Sequence, residues 1–209
     1  MPGDSGEVVL DGSAGEGGGQ ILRAALSLSL CTGRPFRISK IRAGRKPPGI
    51  RPQHLACVRG AEAISGASSE GAAVGASELL FRPAPVKPGG YLLEVGTAGS
   101  APLLLQCLFY PLALAGGGAL TLRGGTHLPH SPSYHYLAGV WLPMVQAYGF
   151  SAELRLVQAG FYPQGGGEIG ARVQASVPPP GLVDLPSRGT VVSASTRKRS
   201  FASAVPTAE

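Results

Sequence analysis

Apolar residues recur along the chain with two periods, and the two alternate. Val8-Val9-Leu10 predicts a short strand running into Asp11-Gly12. A glycine-rich turn, Gly15-Glu16-Gly17-Gly18-Gly19, leads to a helix over Gln20–Thr32 with Ile21, Leu22, Ala25, Leu26 and Leu28 as its apolar face and Gly33 as its stop. A strand over Phe36–Ile41 and a loop over Arg42–Pro48 come next. A second helix begins near Pro52, a residue suited to a first helical position, carries Leu55, Val58, Ala61 and Ile64, and ends at Gly66.

The second half repeats the alternation. Leu79–Arg82 and Tyr91–Val95 read as paired strands around the turn Pro88-Gly89-Gly90. Ser100 caps a helix through about Ala115, Leu120–Arg123 is a strand, and a fourth helix lies within Tyr136–Tyr148. The strands Ala152–Val157 and Glu168–Val177 flank a turn at Gly160–Gly167. The fold class that follows is α/β (or α+β), built of tandem repeated units, each a small sheet with packed helices. A Gly-Gly-Gly turn beside a Glu at 16–19 and again at 165–168 hints at the repeat. From Pro178-Pro179-Pro180-Gly181 the pattern breaks. We read residues 1–189 as the repeat domain and 190–209 as a disordered tail or the start of a further insert, with the last dozen residues unstructured.

Composition changes this picture little. The 209 residues are 44% hydrophobic, enough for a sizeable core, and the 32 glycines and 19 prolines cluster between apolar segments as loop punctuation. Charge adds more. Eighteen Lys and Arg against twelve Asp and Glu give +6 and a pI near 9.5, which suits an anionic partner. Cys31, Cys57 and Cys107 have no metal-site or disulfide spacing, so a reducing compartment is expected. The N-terminus lacks a signal-peptide pattern, and Leu103–Ala115 is too short to span a bilayer. A cytoplasmic protein without a membrane partner is the expectation.

Two segments carry candidate chemistry. In the first, successive glycines before a helix let backbone N–H groups, among them those of Gly17 and Gly18, converge on an oxyanion, and the helix N-terminus adds positive potential. The bland alternative is a tight turn that needs small residues. Arg23, a cation in the first helical turn, opposes the helix dipole, a penalty that a bound anion removes. Glu16 stands where a carboxylate complements that dipole, or where it holds a metal ion. The second segment is more specific. Arg42, Arg45, Arg51 and His54 fall within thirteen residues on a Gly/Pro-restricted loop and the helix start after it, with Lys46 adding charge. Restricting several guanidinium groups in advance is what bidentate phosphate recognition requires.

Other polar residues are less telling. Gln106, on an apolar helix, either bonds to backbone within the core or contacts a purine or ribose. His127, His130 and His135 lie about Pro129 and Pro132 with no Cys or carboxylate beside them, so a polar loop outweighs a metal site.

These segments resemble a known family. Asp11-Gly12-Ser13-Ala14-Gly15-Glu16-Gly17-Gly18-Gly19-Gln20-Ile21-Leu22-Arg23 is similar to the opening motif of the RNA 3′-terminal phosphate cyclases. Ile41-Arg42-Ala43-Gly44-Arg45 with Pro48-Gly49-Ile50-Arg51-Pro52-Gln53-His54-Leu55 resembles the second. Gly96–Ser100 with Gln106, then Gly124-Gly125-Thr126, then Gly160–Gly167, continue in family order to about Arg188-Gly189.

The resemblance implies an enzyme of the ATP-dependent ligase class. ATP adenylylates an enzyme histidine, AMP passes to an RNA 3′-phosphate, and the adjacent 2′-hydroxyl closes a 2′,3′-cyclic phosphate as AMP leaves. A divalent metal, Mg or Mn, assists. By motif position it puts Glu16 at the metal and phosphates, Arg23, Arg42, Arg45, Gln53 and His54 on phosphates, and Gln106 with the glycine turn on the nucleotide. In two respects the chain departs from the family. The family's nucleophilic histidine belongs to a C-terminal segment beyond a small inserted domain, which the tail of this chain does not resemble, so we read the chain as truncated, with a second chain as one means of completion. His135 also replaces the acidic residue usual before Tyr136. The alternative reading is a non-catalytic relative that binds RNA or a ribosome-assembly partner.

Overall fold

In the computed structural model, residues 6–96 and 98–177 are described. Two four-stranded sheets with one topology organise them. The first unit runs β1 (Val8–Asp11), α1 (Gln20–Thr32), β2 (Phe36–Ser39), α2 (Pro52–Ser65), β3 (Ser68–Glu70) and β4 (Leu79–Arg82), and its sheet has the order β1-β2-β4-β3. The second runs β5 (Gly90–Glu94), α3 (Ala101–Leu114) and β6 (Gly117–Gly124). A helical stretch follows, made of α4 (Tyr134–Tyr136), a π-helical turn (Leu137–Trp141) and α5 (Leu142–Gln146). β7 (Ala152–Gln158) and β8 (Gly167–Gln174) close the unit, whose sheet has the order β5-β6-β8-β7. In each unit the first pair is parallel and the other two antiparallel, with Val8 opposite Phe36 and Gly90 opposite Ala119. The tandem α/β units expected from the alternation are those observed.

The two glycine turns that suggested the repeat are not equivalent, however. Residues 16–19 join β1 to α1, whereas 165–168 end the β7–β8 connection and open β8. The true counterpart of the first turn is the β5–α3 connection around Gly96–Gly99, and the loop from β2 to α2 corresponds to the one from β6 to α4. The expected pairing of Leu79–Arg82 with Tyr91–Val95 is also corrected: β4 pairs with β2 and β3, and β5 with β6. Pro83, Pro85 and Pro88 explain this, because a connection rich in prolines lacks the N–H donors of a hairpin ladder. β8 ends at Gln174, short of Val177.

The helices pack through their apolar faces. Leu22, Leu26 and Leu30 of α1, spaced four apart, are buried with Val58, Ala61 and Ile64 of α2. Leu28, expected on that face, is instead 63% exposed. α3 is apolar on nearly every side because it meets α1, α2, β6 and β8. Trp141, in the π turn, meets Phe109 edge-on with ring centroids 4.8 Å apart. No helix among the described residues is long and apolar enough to cross a membrane. The expected boundary near residue 189 and the tail fall outside the described residues.

Candidate functional site

Parallel strands send their following loops to the same edge of a sheet. The β1–α1 and β2–α2 connections therefore meet, and they form a cavity of about 570 Å³. Glu16, Gly18, Arg23, Arg42, Arg45, Gln53 and His54, all expected at the site, line it together. Gly17 does not: its N–H is used within the turn, donating to the Ala14 carbonyl at 3.0 Å. The N-terminus of α1 is capped by Gly19, with no side-chain cap and no acidic residue in the first turn, so its positive potential is left open toward the cavity.

Arg42 is held before any ligand arrives. It has φ +54°, a left-handed conformation uncommon for a residue with a side chain. Its Nη1 donates to the carbonyls of Pro47 at 2.9 Å and Gly49 at 3.1 Å. Gly49 is required there: its φ is +76°, and a Cβ would collide with the Gly75 carbonyl. Burial, then Arg51 and Arg45, pull the Arg42 pKa down. An arginine stays protonated even so. The gathered cations thus repel one another, and an entering anion relieves that repulsion.

His54 is buried in the first turn of α2. Its Nδ1 accepts the Arg51 N–H at 3.1 Å, which closes the helix N-terminus. A ring that accepts at Nδ1 and is neutral carries its proton on Nε2. Burial first, then Arg23, Arg42 and Arg51, lower its pKa to about 4. At neutral pH His54 is therefore an uncharged donor among cations.

Arg45 reaches Glu16 at 3.4 Å, and Arg23 donates to Gln20 Oε1 at 3.0 Å. Glu16 is 92% exposed at its side chain and is the one carboxylate on the cavity wall among the described residues. Such a donor set suits a multiply charged oxyanion, with the Glu16–Arg45 pair weak enough to open. Gln106 lies apart. It lines an adjoining cavity of about 360 Å³ with Tyr110 and Trp141, and the two cavities share Gln20, Arg23 and Leu103.

A family profile described as RNA 3′-terminal phosphate cyclase matches residues 14–191, most of the chain and all of this cavity. The chain belongs to the RNA 3′-terminal phosphate cyclase family. Similar proteins of that name include one from Ralstonia nicotianae, 44% identical over 88% of this chain and 53% of the relative. One from Salmonella enteritidis is 45% identical over 87% and 54%, and one from Koribacter versatilis is 49% identical over 80% and 47%. The chain spans about half the length of the curated relatives it matches.

For a cyclase-family chain, the wall contributed by the second unit is the part that motif reading missed. Leu128, Pro129, His130 and Ser131 close the cavity from the loop equivalent to Arg42–Arg51. His130, with φ +60°, thus reaches the site. His127 and His135 bond to each other instead, with Nε2 and Nδ1 2.8 Å apart, while the Thr126 hydroxyl lies 2.8 Å from His127 Nδ1. Had the loops been matched by repeat position, the second loop would have been sought at the site.

Proposed function

We propose that this chain provides the phosphate-binding half of an RNA 3′-terminal phosphate cyclase, an enzyme that converts an RNA 3′-phosphate to a 2′,3′-cyclic phosphate with ATP through adenylylated intermediates. The observation that carries the reading is the convergence of Arg23, Arg42, Arg45, Gln53 and His54 on one cavity. Cyclisation must bring a nucleotide phosphate and an RNA phosphate together, and preorganised cations lower the energy of the crowded charge as the 2′-hydroxyl attacks phosphorus and AMP departs. Arg42 is the fixed cation, and Arg45 adds a second once its weak pair with Glu16 opens. His54 Nε2–H donates to an oxygen without adding charge. Gln106, with Tyr110 and Trp141 beside it, offers an amide and aromatic surface to a nucleoside.

Magnesium is commonly held by one or two carboxylates together with the ligand's phosphates. Glu16 fits that part for Mg or Mn, which would neutralise phosphate charge. Three free cysteines suit a reducing, cytoplasmic setting. By the family resemblance, the nucleophilic histidine belongs to the part of the curated relatives that this chain does not span.

The test is intact mass after incubation with ATP and magnesium, alone and with the C-terminal half of the Ralstonia nicotianae relative. An acid-labile AMP adduct is expected on the added half and none on this chain. An adduct on this chain alone overturns the division of labour and makes one of His54, His127, His130 or His135 the nucleophile.

A further inference from the structure

Exposed aromatic rings gather around one loop of the second unit. Among the described residues the exposed Phe, Tyr and Trp side chains are Tyr136 (46%), Phe161 (58%) and Tyr162 (73%). All three belong to segments touching one loop, the β6–α4 connection whose middle lines the cavity. Phe161 is joined to the start of that loop by a bridge to His127, and the Thr126 N–H donates to the Gly160 carbonyl at 2.8 Å. Tyr136 lies just beyond the loop's end, in α4.

The rings form a series. Phe161 stacks on His127 with centroids 5.2 Å apart and planes 22° apart. His127 meets His135 at 5.0 Å, and His135 meets Tyr134 edge-on at 5.4 Å. One face of Phe161 is thus backed by imidazole, which fixes its plane. A ring held flat from behind and open in front is a surface on which a nucleobase stacks, whatever the base.

Charge favours the same occupant. No Asp or Glu occurs between Glu94 and Glu153, or between Glu153 and Glu168, so both segments lack carboxylates that repel a phosphodiester chain. The distance is short as well. His127 and the cavity residue His130 are three residues apart, so their Cα atoms stand within about 11 Å of each other.

We propose that Phe161, backed by His127, forms with its exposed neighbour Tyr162 a stacking platform for the bases of single-stranded RNA that precede the nucleotide whose 3′-phosphate enters the cavity. This rests on the cyclase reading. It adds that the chain grips the RNA body as well as its end. Stacking is indifferent to base identity, so the platform extends the footprint without imposing a sequence.

The test is fluorescence anisotropy with 5′-labelled RNA pentanucleotides ending in 3′-phosphate or 3′-hydroxyl, the former also with abasic internal positions. The Phe161→Ala/Tyr162→Ala variant should bind the intact 3′-phosphate pentanucleotide roughly five- to a hundredfold more weakly, the range of one stacked base. The abasic RNA should bind wild type as weakly as the intact RNA binds the variant, and should not distinguish the two proteins. Phe161→Trp should keep wild-type affinity, which separates stacking from damage to the fold. Equal affinity of the variant and wild type for intact RNA overturns the proposal and leaves the rings to a protein partner. So does an equal loss on intact and abasic RNA. If the 3′-phosphate itself makes no difference while the variant still loses affinity, the platform stands and the phosphate reading fails.

Discussion

His54 Nε2 lies against Gly19 so closely that a Cβ on Gly19 would overlap the imidazole ring. This contact joins the N-terminus of α1 to the first turn of α2, and so couples the two motifs that build the cavity. The glycine cap of α1 serves ring placement as well as turn geometry.

Gly19→Ala should therefore displace the His54 ring from its Nδ1 bond with the Arg51 N–H. Overpacking at such a site destabilises by about 1–3 kcal/mol. Urea unfolding should show that loss, and the His54 ring resonances should shift. A variant with unchanged midpoint and unchanged His54 spectrum would refute the contact.

The pH dependence of stability has a definite sign. His54 titrates at about 4 in the fold against 6.5 in its ordinary state. Between those values the unfolded chain binds a proton that the fold refuses, so stability rises with pH across that window. The contribution is complete above pH 6.5 and is lost as pH falls toward 4, amounting to about 3 kcal/mol. His54→Gln should flatten the wild-type slope between pH 6.5 and 4. Parallel slopes would remove His54 as the cause.

Arg42 makes the clearest functional test by substitution. Charge-assisted hydrogen bonds are worth about 1.5–3 kcal/mol. Arg42→Ala should weaken 3′-phosphate RNA roughly ten- to a hundredfold in a direct titration, and 3′-hydroxyl RNA far less. Equal losses on both would reduce Arg42 to a general electrostatic role.

The His127–His135 bond gives a prediction outside the cavity. Burial, then the neighbouring His135, lowers the His127 pKa. His135→Asp should raise it, because a carboxylate in place of the second imidazole stabilises the charged ring. The His127 titration curve by NMR reads this directly, and a midpoint that stays or falls would contradict the geometry.

Much of this was legible in the sequence, for physical reasons. α1 and α2 declared themselves through apolar positions three and four apart and through Gly33 and Gly66, both left-handed stops in the structure. The arginine loop was visible because Gly and Pro restrict it. β3, Ser68–Glu70, carries no apolar residue and gave no periodic signal; it exists because β4 offers it a pairing edge. Leu28 obeyed the helical period yet faces a cavity wall, which periodicity alone cannot distinguish from core. His130 was ambiguous because its partners are far away in sequence, and only the repeat topology brings its loop to the arginines.

We propose that one cavity grips the 3′-phosphate of RNA. The most direct measurement is the affinity of the purified chain for two RNA oligonucleotides identical except for a 3′-phosphate or a 3′-hydroxyl, at one fixed salt concentration. Markedly tighter binding of the phosphorylated end is expected, with the preference sharply reduced in Arg42→Ala. Equal affinity for the two ends would contradict it.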